Sequence, residues 1–295
     1  MKLSIITINY NNAEGLERTL NSVLNQTYWE IEHIIVDGAS TDNSVKVIKE
    51  YVRKVESGES RIKSVIWSSE PDKGIYHAMN KGIRKASGEY IQILNSGDTL
   101  AADDVTERMM DAMRLKIEDC RLKNENGISI LYGNMLKSYD GKKIINRDTC
   151  GNGMYTPESF LYFYKGTLNH DCAYIRRDLF EKHGLYNEQM KICSDWEWYV
   201  RAIVLGGEKP VYTNIDVTIF DMNGVSESYG KNAELIKKER CEYLEKILPA
   251  TVLHDYDMFS FPVLQYQRLK KYHLWGIVHF MERVLFKLEK WRILR

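Results

Sequence analysis

The sequence predicts an α/β fold with a mostly parallel central sheet flanked by helices, followed by a C-terminal helical extension. Three observations lead there. Over residues 1–100, short apolar runs rich in β-branched residues alternate with segments whose apolar positions recur at helical spacing, the pattern of successive β-α units. The fourth run, Tyr90–Leu94, delivers Asp98 into a Gly-containing turn and so places a carboxylate at the carboxyl edge of a Rossmann-like sheet, where open α/β folds bind ligands. From Lys231 onward the pattern is helical, broken by Pro249 and Pro262.

The elements follow in order. Leu3–Ile8 reads as the first strand, after which Asn11 or Asn12 can cap a helix that carries Leu16, Leu20, Val23 and Leu24 on one face. Glu32–Val36 repeats the strand, and Thr41-Asp42-Asn43-Ser44 offers cap residues before Val45, Ile48, Val52 and Val55. A third strand, Ser64–Trp67, leads through residues 68–74 into a helix bearing Ile75, Met79 and Ile83, closed by Ser87-Gly88 ahead of the Tyr90–Leu94 strand. Beyond Asp98 the pattern loosens. It predicts a helix near Ala102–Glu118, a strand at Ile128–Tyr132, a Gly/Asn-rich segment at 141–157 and a strand at Cys172–Ile175. A short helix ended by Gly184 and a helix from Asp195 to Leu205 stopped by Gly206-Gly207 complete the series. We therefore divide the chain into 1–222, with halves 1–100 and 101–222, and an extension, 223–295.

Composition bounds the function. With 44% apolar and 28% charged residues in 295, the chain has the make-up of a soluble globular protein, and its zero net charge argues against a nucleic-acid binder. The charge is unevenly spread: residues 265–295 carry eight cations (Arg268, Lys270, Lys271, Arg283, Lys287, Lys290, Arg292, Arg295) against Glu282 and Glu289. These cations interleave with Leu274, Trp275, Ile277, Val278, Phe280, Met281, Val284, Leu285 and Phe286, as in a helix lying on an anionic membrane surface; a helix packed on the domain or in a dimer contact would read similarly. Five scattered cysteines without C-x-x-C spacing suggest neither a disulfide framework nor a zinc site. The apolar run at Leu3–Ile8 is too short for a signal peptide, and no stretch reaches the length of a spanning helix, so a cytoplasmic chain is expected, peripheral on the inner face of the membrane.

Four segments in sequence, Ser4-Ile-Ile-Thr-Ile-Asn-Tyr-Asn11, Val36-Asp-Gly-Ala-Ser-Thr-Asp42, Glu70-Pro-Asp-Lys-Gly-Ile-Tyr-His-Ala-Met-Asn-Lys-Gly82 and Leu94-Asn-Ser-Gly-Asp98, resemble the successive motifs of family 2 glycosyltransferases. The resemblance covers roughly residues 1–205. It implies a nucleotide-diphosphosugar transferase fold of GT-A type, Mn²⁺ or Mg²⁺ as cofactor, and inverting transfer of a sugar. The donor would be a nucleotide-diphosphate sugar, with UDP expected, and the acceptor a saccharide or lipid-linked saccharide of bacterial polysaccharide, capsule or O-antigen biosynthesis.

The resemblance also implies residue roles. Thr7, Asn9, Tyr10, Asp37, Asp72, Lys73, Gly74, Asn80 and the turn Asn95, Ser96, Gly97 and Asp98 would bind the donor, with His77 a weaker candidate. Asp98 would also hold the metal; the family's commoner motif offers two acids spaced D-x-D, whereas here Ser96 stands two residues before Asp98, leaving one carboxylate to share the ion with diphosphate oxygens and water. Asp195, in Cys193-Ser-Asp-Trp-Glu-Trp198, matches the acid-rich helix start that supplies the catalytic base, with Glu197 the lesser candidate. Ser194 and Glu197 also read as a capping box. His170 is a secondary metal, diphosphate or acceptor contact, and Trp196 and Trp198 could stack on an acceptor sugar. Each position has a plainer reading: Asp37 as an Asx turn, Asp72 as a helix-start acid, Asp98 as a cap and the tryptophans as core. Two other functions stay open, a sugar nucleotidylyltransferase, disfavoured because no Gly-rich basic loop follows Tyr10, and a non-catalytic membrane-associated partner of another transferase.

Overall fold

The computed structural model describes residues 1–122, 127–139, 143–149, 157–222, 229–271 and 273–293. The predicted β-α alternation is present: β1 (Leu3–Asn9), α1 (Ala13–Leu24), β2 (Ile31–Asp37), α2 (Ser44–Glu56), β3 (Ser64–Ser69), α3 (Ile75–Lys85) and β4 (Tyr90–Ile93). Then follow β5 (Thr99–Leu100), α4 (Val105–Leu122), β6 (Ile130–Ser138), β7 (Ile144–Asp148), α5 (Phe160–Lys165), β8 (Ala173–Arg176), α6 (Asp178–Lys182), α7 (Ser194–Tyr199) and β9 (Pro210–Asp221). The extension forms α8 (Tyr229–Ile247), α9 (Ala250–Lys271) and α10 (Trp275–Ile293). Most of the Gly/Asn-rich segment expected at 141–157 lies outside the described residues; within 143–149 it forms β7.

All strands join one sheet, ordered β3-β2-β1-β4-β8-β6-β9-β5, with β7 paired to β6. The parallel arrangement holds for β3, β2, β1 and β4; beyond β4 the sheet is mixed, since β8 runs antiparallel to β4 and β6 while β6 and β9 are parallel. Helices cover both faces, which is why β1 and β2 are buried along their whole length, with polar residues such as Ser4, Glu32 and His33 hydrogen-bonded within. Along β1 the side chains alternate: Leu3 and Ile5 pack with α1, α2 and α4, while Ile6 and Ile8 pack with α3, α5, α7 and α8.

Helix α3 lies flush on β1. A Cβ added at Gly82 would meet Ile6 Cγ2 at 2.3 Å, so only a bare Cα allows the helix to sit this close. Its start is equally constrained, because Gly74 precedes it with φ +143°, a conformation costly for any residue with a Cβ. We expect Gly82→Ala to destabilise the protein by about 1–3 kcal/mol through overpacking, seen as a lower Tm in thermal denaturation.

Candidate functional site

The carboxyl ends of β1, β2 and β4 and the starts of α1, α3 and α7 converge at one edge of the sheet. Asn9 and Asp37 are register partners there, and Asn9 Nδ2 donates to Asp37 Oδ1 at 2.8 Å. The Asp37 carboxylate also accepts from Ser40 N (3.0 Å), Ser40 Oγ (2.5 Å) and Ser69 Oγ (2.6 Å). Burial by itself would raise this carboxyl, yet the donors from Ser40, Ser69 and Asn9 hold it below its ordinary value. Asp37 therefore braces the edge in the manner of an Asx turn, with its oxygens occupied from within.

Outside this brace the surface opens. Tyr10 is 69% exposed, and a Cβ at Gly38 would stand 3.2 Å from both the Tyr10 ring and Asp72 Oδ2, so these three residues form one shallow rim. Asp72 is steadied by Lys81 Nζ (2.7 Å) and His77 Nδ1 (3.1 Å), both one or two turns along α3, while Lys73 beside it is exposed.

Two of the predicted donor residues face elsewhere. Thr7 sits on the α1/α2 side of β1 and is fully buried, its hydroxyl bonded to His33 Nε2 at 3.0 Å; strand alternation turned it away from the edge. Asn80 is buried in a clamp, accepting from Tyr186 N (3.0 Å) and donating to Tyr186 O (2.9 Å) and Glu188 Oε1 (2.8 Å). Both side chains are buried among these partners, at 0% and 1% exposure.

The Asn95–Asp98 turn is held by α1. Thr19 Oγ1 donates to Asp98 O (2.6 Å) and accepts from Gly97 N (2.9 Å), and the cap residue Asn12 donates to Ser96 O (3.1 Å). Gly97 takes φ +111°, which the turn requires. Asp98 is 4% exposed, and its Oδ1 accepts from Asp221 N at 2.9 Å. Burial and then the neighbouring Asp171 charge push its carboxyl well above the usual range, against the opposing pull of the Asp221 amide and His170. Asp171 is raised too, chiefly by burial. The Asp221 side chain lies over the same turn and pairs with Arg18 at 2.7 Å. Two neighbouring buried carboxyls, each disfavoured in its ionised form, make a setting that a bound cation would relieve. Among the described residues no three-ligand metal cluster is preassembled, so the donor set fits an ion shared between Asp98 and the oxygens of a bound diphosphate.

His170 and Asp171 lie in a 3-10 turn, His170–Cys172, leading into β8. His170 bridges the two halves: Nε2 lies 3.2 Å from the Asn95 amide and Nδ1 lies 3.4 Å from Asp195 Oδ2. Both ring nitrogens of His170 thus face side chains of the site, one in each half. Burial would lower its pKa, but the Asp195 carboxylate beside it, with Asp171 and Asp98 behind, raises it to about 9. Asp195 accepts a second hydrogen bond at Oδ1 from Tyr76 Oη (2.9 Å), and these donors keep its carboxyl low against the effect of burial. Its side chain is 15% exposed and so open to a ligand.

Helix α7 differs from expectation in three ways. Cys193 occupies the cap position, Ser194 Oγ accepts from Asn187 N (2.6 Å), and Glu197 pairs with Arg201 through both oxygens at 3.0 Å, so there is no capping box. Trp196 and Trp198 are 1% and 0% exposed, with indole N–H groups donated to Phe163 O and Gly184 O, both at 2.8 Å; neither has a face to stack on a sugar. The loop leading into α7 is anchored from α8, where Glu239 accepts from the amides of Lys191 (2.6 Å), Ile192 (3.1 Å) and Cys193 (3.0 Å). Arg240 lies 4.9 Å from the centre of the Trp196 ring. Tyr76, Asp171, Asp221 and Glu239 thus complete an arrangement that sequence reasoning had drawn without them. Tyr76 and Asp171 stood beside residues already singled out, whereas nothing in the local pattern distinguished Glu239.

Comparison with known proteins is consistent with this geometry. Residues 4–184 match the model of glycosyl transferase family 2. An uncharacterized glycosyltransferase of Mycobacterium tuberculosis is 31% identical over 226 residues, 76% of each chain. A PGL/p-HBAD biosynthesis glycosyltransferase of Mycobacterium bovis is 25% identical over 199 residues, 68% of each chain. Among solved structures, S. aureus TarS 1–349 in complex with UDP-GlcNAc superposes with a TM-score of 0.59 at 18% identity, covering 92% of this chain and 73% of that one. The mannosyltransferase PcManGT of Pyrobaculum calidifontis, in complex with GDP-Man and Mn²⁺, gives 0.59 at 16% identity, covering 96% and 80%. In another TarS structure the match spans 37% of that chain. At these identities the structural likeness shows a shared fold.

The raised His170 pKa has a consequence for stability. Because the folded value of about 9 exceeds the ordinary 6.5, the contribution is complete below pH 6.5 and is lost as pH rises through 9, at most roughly 3 kcal/mol. Thermal denaturation from pH 6 to 10 should show this alkaline loss in the wild type and a flatter profile in His170→Gln.

Proposed function

This chain is a member of glycosyl transferase family 2, an enzyme acting on nucleotide-sugars, and from that premise we infer a metal-dependent, inverting transfer from a UDP-sugar to the hydroxyl of a saccharide or lipid-linked saccharide. The observation that carries the reading is the Asn95–His170–Asp195 bridge. It ties the turn that bears Asp98 to a low-pKa carboxylate on the far half of the sheet edge, the separation of roles that such a transfer needs.

On this reading the nucleoside lies along the rim of Tyr10, Gly38 and Asp72, with Asn9 and Asp37 bracing the strand ends beneath it and Lys73 and Gly74 shaping its border. The diphosphate lies against Asn95, Ser96, Gly97 and Asp98. A divalent cation held by Asp98 would neutralise charge on the departing nucleoside diphosphate. Asp195 accepts the proton of the acceptor hydroxyl as the new bond to the anomeric carbon forms and the bond to the diphosphate breaks on the opposite face. A bound UDP-GlcNAc in TarS supports UDP, and a bound Mn²⁺ in PcManGT supports the ion. Relatives named for PGL/p-HBAD biosynthesis favour a lipid-linked or glycolipid acceptor for polysaccharide or glycolipid assembly.

The C-terminal helices support a membrane location for that acceptor. Along α10, Ile277, Phe280, Met281, Val284 and Leu285 recur at helical spacing and are exposed, as are Met258 and Phe259 on α9, while no described helix is long and apolar enough to cross a bilayer. We read α9 and α10 as an interfacial anchor at an anionic leaflet, with the basic residues of 265–295 adding attraction.

Calorimetric titration with UDP, GDP and dTDP, each with Mn²⁺ or EDTA, tests the donor site: UDP should bind in a Mn²⁺-dependent manner, and Asp98→Asn should abolish that dependence. Asp195→Asn should bind UDP normally yet lose about 10²–10⁴-fold in turnover; unaltered turnover would sink the base assignment. A chain ending at Pro262 should stay in the supernatant when the full chain sediments with anionic vesicles.

A further inference from the structure

We propose that Tyr76 is a positioning residue for transfer, a phenol that fixes the carboxylate of Asp195 without touching the substrate. The inference rests on the reading of Asp195 as the base and adds to it a residue from the opposite half of the chain.

The geometry has three parts. Tyr76 Oη donates to Asp195 Oδ1 at 2.9 Å, while His170 Nδ1 approaches Oδ2 at 3.4 Å, so each carboxylate oxygen is held by a side chain, and the Trp196 amide adds a backbone donor to the group. A carboxylate offers about four lone-pair sites, which leaves room for an acceptor hydroxyl while rotation of the group is blocked. Second, Tyr76 is 5% exposed, packed at 5.7 Å from the Tyr186 ring, and cannot itself reach a bound sugar. Third, Tyr76 stands two residues after Gly74 in the first turn of α3, the same start that presents Asp72. Helix α3 therefore sets the rim and the carboxylate with one rigid body, and the hydroxyl of Tyr76 is the atom that transmits its position to Asp195.

Among the described residues the hydroxyl's hydrogen bonds are with Asp195, to its carboxylate and from its backbone amide. Asn80 and Lys81 of the same helix hold Tyr186, Glu188 and Asp72, whereas the phenol is directed only at Asp195 among the side chains it meets. A proton donor that stabilises the ionised carboxylate keeps it a weaker but correctly aimed base. Near-attack geometry is sensitive to displacements of an ångström, so loss of this contact is expected to appear in the rate and not in donor affinity.

The experiment uses the full chain with Mn²⁺ and a panel of UDP-glucose, UDP-galactose and UDP-GlcNAc, with water as acceptor and UDP release as the readout. Tyr76→Phe should lower kcat by about ten- to a hundredfold with the donor KM and the calorimetric UDP affinity within about twofold of wild type. Replacement of Tyr76 by 3-fluorotyrosine, which keeps the hydroxyl, should restore the rate. A Tyr76→Phe enzyme with wild-type kcat, or one whose loss lies in KM alone, would overturn the inference, as would a 3-fluorotyrosine enzyme as slow as Tyr76→Phe. The two levels separate cleanly: an active Asp195→Asn enzyme removes the base assignment and this inference together, whereas an inactive Asp195→Asn beside a wild-type Tyr76→Phe removes only the latter.

Discussion

The seating of α3 is the constraint on which the rest of the site depends. Eleven residues make a marginal helix in isolation, so its position comes from what it touches. Gly82 sets its depth against Ile6, and its polar residues are then spent on cross-connections: Lys81 and His77 to Asp72, Asn80 to the 186–188 loop, Tyr76 to Asp195. The two halves of the sheet edge are thereby held in one frame. Each of these bonds is modest in net terms, about 1 kcal/mol, but their donors and acceptors are largely buried, so disturbing the helix would strand several at once.

Electrostatics gives that frame its tension. Asp98, Asp171, Asp195 and Asp221 gather around one imidazole and one guanidinium, with Asp98 raised by burial and the Asp171 charge, and Asp171 raised by burial and the Asp195 charge. His170 answers part of this charge and is itself held in its charged form by the same carboxylates. The arrangement is prepared to receive positive charge at Asp98 while Asp195, with two hydrogen-bond donors of its own, stays ionised. Similar side chains a few residues apart in space thus hold opposite protonation tendencies, set by their neighbours.

The first half of the fold was legible in the sequence because strands covered on both faces read as short runs dominated by apolar, β-branched residues and their turns carry Asn, Asp and Gly. Strand ends were legible for the same reason, which is how Asp98 was found, while the roles of Asn9 and Asp37 came with the family resemblance. Which way a side chain points was harder. Thr7 lies one residue from positions that face the opposite helices, and the short helix holding Trp196 and Trp198 is surrounded by α5, α6 and α8, so its periodicity selects no exposed face. Strand β9 was passed over, although Ile215, Val217 and Ile219 alternate in the expected way, because polar residues and loop-like neighbours dilute the run. Tyr76 and Asp195 are 119 residues apart, and no local pattern reports a pairing made by the closure of the sheet.

Composition divides the chain near residue 222, but Glu239 binds three consecutive amides of the loop that introduces Asp195, and Leu244 is buried in the same core as Trp196 and Trp198. Helix α8 is therefore inseparable from the segment before it, and α9 begins on the same core, where Leu253 packs, Tyr256 meets the Phe160 ring at 4.7 Å and Asp257 accepts from Tyr164 Oη, whereas α10 carries Ile277, Phe280, Met281 and Leu285 exposed. The natural unit of exchange, whether by recombination between relatives or by grafting in the laboratory, thus runs through α8 and on past Asp257 of α9. A chimera joined at residue 222 would inherit an acid from one parent and its anchor from the other, leaving the three amides that Glu239 gathers here to whatever side chain the second parent carries at that place.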